Sequence, residues 1–108
     1  MSERVALLNA PVVTSNGTFI VEDCEVDEAK KLCRELGFTS YVGHAATAAV
    51  MSTLLEQEVV QTRAELKQAV NQVAIVFCLA ARQPEGVVLS LEDVHRVGFT
   101  LRKIHRVA

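Results

Sequence analysis

Tryptophan is absent from this chain of 108 residues, and its aromatics amount to four Phe and one Tyr. A surface that stacks successive bases on aromatic rings is therefore not expected. Charge of one sign is lacking too: the net charge of -2 argues against broad electrostatic binding of long nucleic acid. It leaves room for a small anion held in a local basic pocket. Cysteine is scarce and odd in number, and Cys24, Cys33 and Cys78 fit neither a disulfide framework nor a zinc knuckle. They read as buried reduced thiols. No apolar run approaches the ~20 residues that span a bilayer, and no signal peptide precedes the first apolar segment. The expectation is a cytoplasmic chain without a membrane partner.

Half of the residues are hydrophobic, enough for a core without disulfides or a structural metal. The length suits one domain spanning 1–108. Val5 to Leu8 reads as a buried strand that leaves the sheet near Asn9, because Pro11 blocks further pairing. Ser15-Asn16-Gly17 is a turn signal, with Thr18 to Glu22 a second strand antiparallel to Val12 to Thr14. Val26, Ala29, Leu32, Cys33 and Leu36 recur at helical spacing, and Gly37 follows as a C-terminal cap. Phe38 to Val42 reads as a connector. An alanine-rich helix is expected from His44 to about Glu56.

Between Glu58 and Gln72 the signals conflict. Val59-Val60 favours a strand leading into Arg63, whereas Thr62 and Glu65 form a capping-box pattern before an irregular or helical stretch. Val73 to Ala81 is apolar on both faces and should be central. Pro84 and Gly86 make a turn, and Val87 to Leu89 a short extended run. Ser90 caps a short helix that ends at Gly98, and Phe99 to Val107 closes the sheet, with Phe99, Leu101 and Lys103 on one face. The fold class is α/β, a mixed sheet of about five strands flanked by helices.

Few groups on this scaffold suit chemistry. His44 stands at a helix start, where unpaired N–H groups and the helix dipole attract an anion. An imidazole beside a phosphate is a candidate general acid. Arg82 and Glu85 follow the central strand, and ligands of α/β sheets lie beyond the carboxyl ends of strands. The Arg fork matches phosphate oxygens. Arg63 adds positive charge, and Asn9 offers an amide. Each residue alone fits a plain reading at least as well: a polar helix start, a surface ion pair, a solvated charge, a turn-forming Asn. His95 and His105 lack metal-ligand spacing with His44 and read as surface residues. Arg96, Arg102, Lys103 and Arg106 read as a basic C-terminal face.

Taken together, four segments resemble the viral-type ring nucleases, which destroy cyclic tetra-adenylate, and their cellular relatives beside type III CRISPR systems. They are Leu8-Asn9-Ala10, Gly43-His44-Ala45-Ala46-Thr47, Arg63 and Arg82-Gln83-Pro84-Glu85-Gly86, in matching order from about Val5 to Arg106. The resemblance implies a homodimer with its site across the two-fold axis, and cleavage without metal or other cofactor. A ribose 2′-hydroxyl attacks the neighbouring phosphorus and the 5′-oxygen leaves. Carried over, His44 is the general acid, Arg82 holds the scissile phosphate, and Glu85 positions Arg82 or assists proton movement. Asn9, Ala10, Gly43, Thr47 and Arg63 bind the ring. Cys78 departs from the pattern where many relatives carry a polar amide, as does Ala10-Pro11-Val12, which lacks a hydroxyl.

Overall fold

The computed structural model describes residues 4–10, 16–62, 64, 66–79 and 90–108. Its elements are β1 (Val5–Leu8), β2 (Phe19–Asp23), α1 (Val26–Leu36), β3 (Phe38–Ser40), α2 (Ala45–Leu55), β4 (Val73–Leu79), α3 (Leu91–Val97) and β5 (Phe99–Arg106). They build a five-stranded mixed sheet in the order β2-β5-β4-β1-β3. The anticipated α/β sheet is thus present, with β4 at its centre. β1 runs parallel to both β3 and β4, whereas β5 is antiparallel to β4 and β2.

Alternation along the strands sorts the core into two layers. Val5, Leu7, Ile75, Phe77 and Leu101 face one way and pack with Ala29 and Cys33 of α1, Met51 and Leu54 of α2, and Val94 of α3. Ala6, Leu8, Ala74, Val76 and Ile104 face the other way and are covered by Leu66 from the segment before β4. Among the described residues, the three helices that flank the sheet all cover a single face. That other face needs only a thin cover, since Ala6 and Ala74 are small.

The cover is pinned by amides. Gln68, buried, donates to the carbonyls of Gln72 and Ile104 at 2.7 and 2.8 Å. Gln72 donates to Arg4 O at 2.8 Å and accepts from Ala69 N at 2.9 Å. Arg106 donates to the carbonyls of Gln68, Asn16 and Ala108.

Several boundaries differ from the sequence reading. Phe38–Ser40 is not a connector but a short edge strand, registered as Val5↔Phe38 and Leu7↔Ser40. β2 pairs with β5, Phe19 opposite Arg106; its anticipated partner Val12–Thr14 lies outside the described residues. Val59-Val60 forms no strand. Val59 N donates to Ser52 Oγ at 2.8 Å, and Val60 O accepts from Ser40 Oγ at 2.6 Å. Side-chain hydroxyls thus replace a ladder there. The helical option after Thr62 gives way to irregular backbone over 66–69, and Glu65 lies outside the described residues, as do 80–89.

α1 and α3 begin and end where expected. Gly37 caps α1 at φ 71°, a left-handed backbone that favours glycine, and a Cβ there would press on the end of the Arg4 side chain at 3.0 Å. Ser90 and Asp93 close a reciprocal capping box on α3. It holds the Asp93 carboxyl below its ordinary range, chiefly through the Ser90 backbone N–H and then its side chain.

Candidate functional site

The parallel trio β3-β1-β4 sends three chain exits to one edge of the sheet. β1 leaves through Asn9, half-buried, and Ala10, exposed. β3 leaves through Tyr41, whose N–H donates to Leu7 O at 2.8 Å, and runs through Val42 and Gly43 into His44. β4 passes Val76, opposite Leu8, and reaches Leu79, three residues short of Arg82 in sequence. Asn9, Ala10, Gly43, His44 and Thr47 thereby share the carboxyl edge, where open sheets hold their ligands. Arg63, Arg82 and Glu85 lie outside the described residues.

His44 is the N-cap of α2, extended at φ -124° and ψ 121°. Its carbonyl accepts the first helical bond from Ala48 N at 3.0 Å, while its side chain makes no capping bond. The first-turn N–H groups have no intrahelical acceptors by geometry and carry the positive end of the dipole. The exposed imidazole places Nδ1 3.4 Å from Thr47 Oγ1. Gly43 does not sit in the left-handed region, and a Cβ there would meet only Thr62 O, at 4.0 Å. Its use is therefore an open surface beside His44 rather than a turn only glycine can make.

Behind this edge runs a seam that sequence reasoning missed. Ser40 Oγ donates to Val60 O and accepts from Val42 N at 3.3 Å. Thr62 N donates to Val42 O at 2.8 Å, and Gln61 Nε2 to Gly43 O at 3.0 Å. The residues leading into His44 are thus bonded to those leading into Arg63. No local pattern signals this: Ser40 lies in an apparent connector, and Gln61 in the segment whose signals conflict.

The supposed basic C-terminal face is divided. Strand alternation sends Arg102 and Lys103 to opposite sides of the sheet, and Arg102 pairs with Asp23 at 3.8 Å and Lys103 with Glu28 at 3.4 Å. Arg96 pairs with Asp93 at 2.6 Å, and Arg106 is spent on carbonyls. Arg96, Arg102 and Lys103 are thus balanced locally, in surface ion pairs of small energetic worth. His95 is exposed and tilts against Phe99, ring centres 5.8 Å apart; His105 is half-buried on β5.

Two of the three thiols, Cys24 and Cys33, are buried and weakly acidic. Burial, then a hydrogen bond with Glu28, pushes Cys24 up to about 12, and burial pushes Cys33 up to about 11. Cys78, half-buried, packs on the helix-free face near the end of β4. Among the described residues, no group of three or more His, Cys, Asp or Glu could hold a metal ion, and no helix is long and apolar enough to cross a membrane.

A one-sided α/β domain with a helix N-terminus and an imidazole on its carboxyl edge is the class that fold and geometry define. Within it, the chain belongs to the STIV B116-like family, whose model matches residues 5–101. It is 31% identical over 106 residues to YddF of Bacillus subtilis, covering 96% of this chain and 98% of that protein. It is 36% identical over 107 residues to ORF117 of Acidianus two-tailed virus, covering 94% and 92%. The solved structure of B116 of Sulfolobus turreted icosahedral virus superposes with a TM-score of 0.78 at 20% identity, over 95% of this chain and 99% of that one. At that identity the likeness concerns the fold alone.

Proposed function

We propose that this protein is a metal-independent ring nuclease that cleaves cyclic tetra-adenylate and so ends type III CRISPR signalling. The observation that carries this reading is His44: an exposed imidazole at the N-cap of α2, on the edge where three parallel strands end. The first-turn N–H groups beside it suit a phosphate, and the imidazole suits an oxygen leaving from one. Membership of a family with archaeal-virus relatives agrees with the resemblance carried by Asn9, His44, Arg63 and Arg82 to Gly86.

The chemistry asks little of the protein, because the nucleophile is part of the substrate. The 2′-oxygen bonds to phosphorus, its proton passes to solvent, and the bond from phosphorus to the 5′-oxygen breaks. His44 gives a proton to that 5′-oxygen. Arg82 stabilises the charge that develops on the phosphoryl oxygens, with Glu85 holding its guanidinium. Arg63 and Asn9 secure the rest of the ring. Two copies related by a two-fold axis present two such half-sites to one symmetric ring. The products are linear di-adenylates ending in 2′,3′-cyclic phosphate.

The test is incubation of the ring with the protein in EDTA, read by chromatography. Many rings cleaved per dimer supports the reading. Tight binding with less than one turnover would instead make the protein a cyclic-oligoadenylate sensor or sponge. Neither binding nor cleavage would leave the Ala-rich α2 as a surface for a protein partner.

A further inference from the structure

His44 and Thr47 stand one helical turn apart, a spacing that brings side chains together on one face. Thr47 Oγ1 lies 3.4 Å from His44 Nδ1, and α2 carries no charged side chain from Ala45 to Leu55 to compete for that ring. The backbone behind it is held from the other side by the Gln61 amide on Gly43 O and by Thr62 N on Val42 O. With Nδ1 engaged and the backbone fixed, Nε2 is the nitrogen left for a ligand.

We propose that Thr47 is a positioning residue for His44, an inference that rests on His44 being the general acid. The Thr47 oxygen accepts from Nδ1–H, so Nε2 is the atom that gains and loses the proton. In the reaction, the imidazolium gives its Nε2 proton to the 5′-oxygen as the phosphorus–oxygen bond breaks. The neutral ring that remains keeps its proton on Nδ1, still donated to Thr47.

The test uses nitrogen-15 NMR of labelled histidine in the free protein, with the His44→Ala spectrum assigning one of three histidines. The neutral His44 of the unmodified chain should carry its proton on Nδ1. Thr47→Val should move it toward Nε2, and Thr47→Ser should restore it. With cyclic tetra-adenylate as substrate, Thr47→Val should lower kcat about fivefold, the worth of one ordinary hydrogen bond. KM should stay within about twofold, since ground-state binding is not involved. The same tautomer in the Thr47→Val variant overturns the proposal. So does a raised KM at unchanged kcat, which makes Thr47 a ligand contact. A protein that cleaves no ring sinks the nuclease reading instead, while the NMR comparison still decides whether Thr47 holds Nδ1.

Discussion

At the scale of single residues, position matters more than identity. His44, His95 and His105 share one side-chain chemistry, yet His44 alone caps an eleven-residue helix at the carboxyl edge. The cysteines show the same rule in reverse. Burial and the neighbouring Glu28 make Cys24 a poor acid, and burial does so for Cys33. In the unfolded chain both release protons near 9.0, whereas in the folded chain they hold them to about 12 and about 11. Their contribution to stability is full below the unfolded value and is lost as pH rises through the folded ones. Urea unfolding from pH 8 upward should show stability falling above pH 9, with a shallower fall for Cys24→Ala. An unchanged slope in that variant would contradict the assignment.

At the scale of elements, the regular parts were legible and the irregular parts were not. The 3.6-residue spacing and Gly37 gave α1 its full extent; Ser90, Asp93 and Gly98 did the same for α3. β4 was legible because a strand buried on both faces is apolar throughout. β3 was not, since Phe-Thr-Ser is too short to display a period. The stretch at Val59-Val60 misled because its backbone is held by the hydroxyls of Ser52 and Ser40 rather than by a neighbouring strand, and Val60 stays exposed. Likewise, nothing local marks Gln72 as a buried clasp between Arg4 O and Ala69 N. Gln72→Met keeps the bulk and removes both bonds, and should cost about 1–3 kcal/mol, the penalty for leaving buried polar groups unpaired. The midpoint of denaturant unfolding reports it; an unshifted midpoint would mean that the clasp is idle.

At the scale of the whole molecule, the described residues set three helices on one side of the sheet and an irregular cover on the other, with His44 exposed at the carboxyl edge. Of the candidate site, His44 could be found from sequence because a glycine followed by an alanine-rich helix is a local signal. The bonds of Ser40 and Gly43 to the segment before Arg63 could not, because they join residues some twenty positions apart. The proposed two-fold site requires two copies, so light scattering should return twice the monomer mass. A monomer at working concentration would contradict the shared site.

The central claim, that His44 drives ring cleavage as an acid, is tested most directly by a single-turnover comparison. The unmodified chain and His44→Ala, each in excess over cyclic tetra-adenylate and in EDTA, are followed by mass spectrometry of the products. The unmodified chain should yield di-adenylate with a 2′,3′-cyclic phosphate, and His44→Ala should do so roughly 100-fold more slowly while still binding the ring. Equal rates for the two proteins, or an intact ring with both, would contradict the account.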